Sequence, residues 1–521
     1  MEYDLIAKGG WVVDGTGGPA FRADVAVLDT MIAAVGHLGD SSAARVLDAT
    51  GLYVVPGFID AHVHGDLMLL ADPVHLPALR QGITTYVIGQ DGCSFAPGSP
   101  ATIDYMRRYT AGFNGNPASV ATDWTNVESY LARFDRRVAV NVAYLIPNGN
   151  VRIEVMGHDP RPATDAELTA MQRLVRQGMD AGAVGLSTGL DYLPSRHADA
   201  REIAALCSAI VPEDGVYVTH MRAYGRAAAI GMDEVVDIAR RSGVAAHVSH
   251  FNGPADILLP LVDRALGEGL DVTYDTYPYL AGSTILGMVA LPAWVQEGGI
   301  EATLGRLADP AVRARLKSEW FADPEPQYPL AKMHLATVAD PAWRWAEGLT
   351  VTDAAGRAGL DPGDFVVDVL LASALAVGVV NFRANDRTEA DVRAILRHPA
   401  HMAGSDGIFV GGFPHPRGWG AFARYLGHHT RELGDYTWPE AITHLATHAA
   451  RRFRLTDRGL VRPGFVADLA LLDPRAVADR STYAAGRTLA EGVRHVVVNG
   501  VLALLDGEPT GATPGRALRR G

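Results

Sequence analysis

Between residues 56 and 452, short apolar runs alternate with amphipathic stretches, and this rhythm limits the possible folds more than any other feature of the chain. The runs fall at residues 58–61, 84–88, 138–145, 182–187, 215–219, 245–249, 272–276 and 402–404. Runs this short read as strands, and the segments between them, such as 167–176, 200–211 and 232–241, carry the spacing of helices. Eight such strand–helix units predict an α/β fold, a (β/α)8 barrel with insertions. The alternative is a doubly wound open sheet. No Gly-x-Gly-x-x-Gly follows a strand and opens a helix, which counts against it.

The two ends of the chain have a different grammar. The first 50 residues are short strands broken by Gly9-Gly10 and Asp29-Thr30, which is hairpin chemistry. Ala467-Asp468-Leu469-Ala470-Leu471-Leu472-Asp473 mirrors Ala23-Asp24-Val25-Ala26-Val27-Leu28-Asp29 near the start. One small β-sandwich domain built from both ends is therefore expected, from residues 1–55 and 453–506, around a barrel at 56–452. Residues 282–350 break the barrel rhythm and hold Trp294, Trp320, Trp343 and Trp345. They are too long for a loop and too apolar for a free linker, and predict a packed insertion or lid after strand 7. Residues 507–521, rich in Gly, Pro and Arg, are expected to fray.

Composition narrows the function. The chain is 48% hydrophobic and 20% charged, which excludes a mostly disordered protein. Lys and Arg number 46 against 59 Asp and Glu, a net charge of −13, so nucleic acid and anionic membrane are not expected partners. The longest apolar stretch, 365–380, contains Asp368 and reads as a buried helix rather than a membrane span. Two cysteines and a start without a signal-peptide pattern point to the cytoplasm.

Ionisable residues recur just beyond the strands. His62 and His64 follow the first; two apart in an extended segment, they face the same way. Cys93 follows the second, His220 the fifth, His250 the sixth and Asp406 the eighth. In a barrel these ends converge on one face, where active sites lie. Four histidines, a thiolate and a carboxylate make a one- or two-metal zinc site.

These residues also carry a resemblance. Pro56-Gly57-Phe58-Ile59-Asp60-Ala61-His62-Val63-His64 resembles the first-strand signature of the amidohydrolase superfamily. Asp91-Gly92-Cys93-Ser94, Gly185-Leu186-Ser187-Thr188-Gly189-Leu190, Thr219-His220-Met221-Arg222, Ser249-His250, Tyr277-Pro278-Tyr279, Gly404-Ser405-Asp406-Gly407 and His415-Pro416-Arg417-Gly418 resemble its D-aminoacylase branch, the N-acyl-D-amino-acid deacylases. The resemblance implies one tight zinc on Cys93, His220 and His250. It implies a second, weaker zinc position on His62, His64 and Asp406 with Cys93 bridging, and no carboxylated lysine, since the thiolate takes the bridging role. Asp406 would be the general base that activates water.

The chain departs from that branch in its recognition residues. His250-Phe251-Asn252 stands where the branch continues His-His-Lys, so a lysine that could bind a substrate carboxylate is replaced by Asn252. Asn148 stands where a histidine is usual. Arg152, Arg222 and Arg417 are candidates for an anionic substrate group. Tyr192, Tyr277 and Tyr279 are candidates for the pocket wall or an oxyanion donor. The expectation is a metal-dependent amidohydrolase that deacylates an N-acyl-D-amino acid or a related small N-acyl compound. Hydrolysis of a cyclic amide or of a small peptide with a D-residue is the alternative, and a non-catalytic scaffold the remote one. The sequence sets no oligomeric state.

Overall fold

The computed structural model describes residues 2–382 and 386–519. Eight strands pair in parallel and in chain order: Phe58–Asp60, Ile83–Ile88, Asn141–Pro147, Gly185–Gly189, Val216–His220, Ala245–Val248, Val272–Thr276 and His401–Ala403, called barrel strands 1 to 8. The ring is drawn together where Ala61 N donates to Ala403 O at 3.1 Å. Just above, Val63–His64 pairs in parallel with Gly407–Ile408. Asp60 ties the same seam, accepting from Ser405 N at 2.8 Å and His62 N at 3.2 Å. The expected (β/α)8 barrel is the fold observed.

The strands read as continuous runs because both of their faces are buried. Strands 2 and 3 have no exposed residue. Ile59, Val87, Leu145, Val216 and Met402 form an apolar plug low in the barrel, which leaves the other end for polar side chains. Capping sets the outer helices. Thr164 and Glu167 form a capping box at Asp165–Asp180, and Asp199 caps Ala200–Ser208.

The chain ends build one nine-stranded sheet among the described residues. Its middle joint is Tyr53–Pro56 paired antiparallel with Leu469–Leu472. The expected β domain from both ends is thus present. The tail does not fray. Gly515 N donates to Val138 O at 2.8 Å, Val142 N to Arg516 O at 2.9 Å and Leu518 N to Val142 O at 2.7 Å. Backbone pairing with the start of barrel strand 3 outweighs the composition of the segment.

Between barrel strands 7 and 8 the chain forms a unit with its own sheet and core. The strand Val377–Asn381 lies between Gly282–Ile285 and Met333–Val338. The packed unit therefore continues to Asn381, past the expected limit at residue 350. The apolar stretch 365–380 is not one helix. It divides into a helix, Pro362–Ala372, and the strand Val377–Asn381. Ala374 and Leu375 turn the chain between them with φ of 46° and 69°. An apolar run of this length suits either element, and the sheet partners decide. No helix among the described residues is long and apolar enough to cross a membrane.

Candidate active site

Four histidines and two aspartates meet at the C-terminal mouth of the barrel. His62 and His64 come from the end of strand 1, His220 closes strand 5, and His250 follows strand 6. Asp406 follows strand 8. His64 Nε2 lies 3.2 Å from Asp406 Oδ1, and His62 Nε2 lies 3.7 Å from the same oxygen. His220 Nδ1 is 3.0 Å from His250 Nε2. All five expected residues share one cluster, and each is buried.

The sixth member is Asp91, not Cys93. Asp91 Oδ1 lies 3.7 Å from His62 Nε2. Its Oδ2 lies 3.6 Å from His64 Nε2, 3.7 Å from His220 Nδ1 and 3.8 Å from His250 Nε2. The thiol expected there sits elsewhere. Cys93 is buried in an apolar cluster with Tyr109, Phe113, Tyr192 and Leu193. Burial, then the charges of Asp91 and Asp66, push its pKa well above the ordinary thiol value. The reason is the turn after strand 2. Gly89, Asp91 and Gly92 take φ of 82°, 56° and 65°, which swings Asp91 inward and Cys93 into the wall. A Cβ on Gly89 would lie 2.2 Å from Leu145 O, so this turn requires glycine.

Asp91, His250 and Asp406 all hold left-handed backbone, with φ of 56°, 33° and 49°. Such strain in non-glycine residues collects at functional sites because it aims side chains. Gly404 is needed for the approach at Asp406, since a Cβ there would come within 2.7 Å of Asp275 Oδ1. Asp275, at the end of strand 7, accepts from His250 N at 2.9 Å and lies 3.0 Å from His247 Nε2 and 3.5 Å from His62 Nδ1. It orients two of the cluster histidines.

The donor set suits a metal ion. His62, His64 and Asp406 offer donor atoms within 4.8 Å of one another, as do His62, Asp91 and His250. His62 Nε2 and Asp91 Oδ1 are buried without a hydrogen-bond partner, although buried polar atoms are ordinarily paired. The surroundings favour positive charge. Burial works to lower the His62 pKa, but Asp275, Asp91 and Asp406 outweigh it and hold it at about 10. Burial opposes protonation of His220 too, yet Asp191 and Asp91 raise it to about 9. Burial works to raise the Asp406 pKa and is outweighed by the Arg417 guanidinium and the histidines, which leave it at about 2.

Residues 45–503 match the amidohydrolase family, nearly the whole chain. The protein belongs to the amidohydrolase family. An N-acyl-D-glutamate deacylase of Alcaligenes xylosoxydans xylosoxydans is 34% identical over all of this amidohydrolase and 97% of its own length. A D-aminoacylase of the same organism is 32% identical over all of this chain and 98% of its own. The solved N-acyl-D-glutamate deacylase of Bordetella bronchiseptica, in complex with zinc and a phosphonate mimic of the tetrahedral intermediate, superimposes with a TM-score of 0.83. It is 31% identical, and all of each chain is covered.

The remaining candidates of this amidohydrolase divide by what they touch. A cavity of about 80 Å³ over the cluster is lined by Tyr192, Tyr224, Asn252, Tyr277 and Met288, among others. Tyr192 donates to or accepts from Thr284 Oγ1 at 2.7 Å, and Asn252 Nδ2 donates to His250 O at 2.6 Å. Arg417 lies wholly buried behind Asp406, its Nη1 2.9 Å from Asp406 Oδ2 and its guanidinium over the Tyr277 ring. Three expected substrate contacts, Arg417, Arg152 and Tyr279, are corrected. Arg152 is wholly buried against Glu202, with Nη1 to Oε1 at 2.6 Å. Arg222 is held by Glu234 at 3.0 Å and by the carbonyls of Arg196 and Ala198 at 2.7 and 2.8 Å, but it also lines a larger cavity beside the cluster and so keeps its place among the candidates. Tyr279 turns away from the cluster to pack against His415 and under Arg424. For Arg417 and Arg152 a carboxylate inside the protein takes the charge that the sequence left unassigned, and for Tyr279 packing of the ring sets its direction.

Asp91, Asp191, Tyr224 and Asp275 belong to the site and were not expected there. Asp275 ends a strand, as the histidines do, and that position was the available signal. Asp191 lies at the rim, with Oδ2 3.6 Å from His220 Nε2 and Oδ1 3.7 Å from Arg196 Nη1. It also lines an adjoining cavity of about 440 Å³, which shares Tyr224, Met288, Val289 and Tyr328 with the smaller one.

Proposed function

We propose that this amidohydrolase cleaves the amide bond of an N-acyl-D-amino acid or a related small N-acyl compound, releasing a carboxylic acid and an amine. The observation that carries the reading is the buried cluster of donor atoms at the barrel mouth, with His62 Nε2 and Asp91 Oδ1 lacking hydrogen-bond partners, beneath a small cavity that adjoins a larger one. The full-length likeness to an N-acyl-D-glutamate deacylase and a D-aminoacylase supports the bond and the stereochemistry.

Zinc is the proposed metal, as in the solved relative. His62, His64, His220, His250 and Asp406 would hold it. When bound, it supplies a Lewis acid that acidifies water and polarises a carbonyl. Asp406 accepts the proton of the attacking water as that oxygen adds to the carbonyl carbon. It returns the proton to the nitrogen as the C–N bond breaks. Arg417 keeps the carboxylate ionised and fixes Oδ2, leaving Oδ1 toward the histidines. The small cavity seats the scissile amide, and the adjoining one takes the larger substituent. The substrate is a small molecule and the setting the cytoplasm, consistent with two buried cysteines that are not joined to each other.

Metal-loaded protein should release amine from N-acetyl-D-amino acids and not from the L forms, and a chelator should stop it. Turnover confined to cyclic amides would replace this reading, and no turnover of either class would remove it. Met288 lines both cavities, so Met288→Ala should shift kcat/KM by about tenfold toward bulkier substrates over N-acetyl ones. The ratio of the two kcat/KM values measures this.

A further inference from the structure

Resting on the metal-dependent reading, we propose that Asp91 is the ligand shared between two metal positions, so that the centre is built wholly from imidazole and carboxylate donors with no sulfur. The placement of the carboxylate carries this. Its Oδ1 is 3.7 Å from His62 Nε2, and its Oδ2 is within 3.6–3.8 Å of His64, His220 and His250, so one carboxylate reaches all four histidines. Two ligands about 2.1 Å from one tetrahedral ion lie about 3.4 Å apart, so these spacings are those of donors around a common ion. Two groups of donors meet here, His62 with His64 and Asp406, and His62 with Asp91 and His250. A carboxylate has two oxygens and can give one to each position, which a single sulfur does by sharing one atom.

The backbone supports the assignment. Asp91 is held in left-handed conformation between Gly89 and Gly92, and Gly92 N is pinned to Ser187 Oγ at 3.1 Å. Asp91 is 2% exposed, and its Oδ1 has no hydrogen-bond partner. A buried carboxylate with an unpartnered oxygen is costly unless something cationic meets it. The Cys93 side chain belongs instead to a buried cluster with Tyr109, Phe113, Tyr192 and Leu193, and its carbonyl accepts from Asn114 Nδ2 at 3.3 Å. Replacing a soft donor by a hard one moves the preference of the centre away from the most thiophilic ions and toward harder ones such as Mn²⁺, while its imidazoles still suit Zn²⁺.

Cobalt(II) reports the donor directly, because a thiolate on cobalt gives an intense near-ultraviolet charge-transfer band and oxygen or nitrogen donors do not. The cobalt-loaded protein is expected to show visible ligand-field bands without the sulfur band. Cys93→Ala should leave spectrum and metal content unchanged. Asp91→Cys should gain the sulfur band. Asp91→Asn, nearly the same shape, should bind metal at least about tenfold more weakly in equilibrium dialysis. A sulfur band in the unaltered protein that disappears in Cys93→Ala would overturn the proposal, and so would Asp91→Asn with full metal affinity. If a variant fails to fold, the spectrum of the unaltered protein still shows whether sulfur is bound to the metal. Either overturning result leaves amide hydrolysis standing. Absent hydrolysis with the expected spectra would instead remove the activity and keep the donor assignment.

Discussion

Asp406→Asn is expected to lower kcat by about 10²–10⁴-fold while the protein stays folded. The amide keeps the shape of the carboxylate but cannot take the proton of water and return it to nitrogen. Asparagine tolerates the left-handed backbone at this position, φ 49°, so the change adds little strain. Arg417 would still find an oxygen near its Nη1, now 2.9 Å from Oδ2. His220 and His250 lie on the other side of the cluster and should retain their metal. The measurement is kcat beside metal content and circular dichroism of the same sample. Activity within about threefold of the unaltered protein would place the base elsewhere.

Arg152→Met is expected to cost about 3–5 kcal/mol of stability and to leave KM unchanged. The Arg152 and Glu202 side chains are both 0% exposed. Glu202 also accepts from Ala163 N at 3.2 Å, and Arg152 also donates to the carbonyl of Arg161. Removing the guanidinium from the middle of the helix Asn148–Met156 leaves a buried carboxylate with its main partner gone. Arg152→Met combined with Glu202→Gln should recover much of the loss, because the unpaired charge is then absent. Denaturant midpoints of the three proteins test this. A rise in KM without loss of stability would return Arg152 to the substrate.

The barrel is legible in the sequence because buried parallel strands leave unbroken apolar runs, and all eight strands lie close to those runs. His62, His64, His220, His250 and Asp406 are legible for a related reason, since a barrel gathers its strand ends. Asp91 is not. Which of residues 91 and 93 points inward depends on the backbone angles of Gly89 and Gly92, and the sequence shows only that two glycines are there. Asp91 lies nearer the strand end and between those glycines, which is a better signal than the softness of sulfur. Arg152 cannot be sorted from sequence because its partner, Glu202, is 50 residues away. The stretch 365–380 reads as one helix because apolar character fixes burial and not the element. Only its pairing with Gly282–Ile285 and Met333–Val338 makes the second half a strand.

The joint between Tyr53–Pro56 and Leu469–Leu472 has a consequence for how the protein is made. The strand that ends at Pro56 leaves the ribosome roughly 400 residues before its neighbour, which is roughly 20 to 80 s of translation. For that interval the amino-terminal half-sheet presents an open edge to the cell, and such edges pair readily with other chains. The barrel has the same timetable, since strand 1 waits for strand 8 to close the ring. Nascent chains of this protein are therefore expected to depend on chaperone cover until the last tenth of the polypeptide emerges, and to be most prone to aggregation when translation stalls before it.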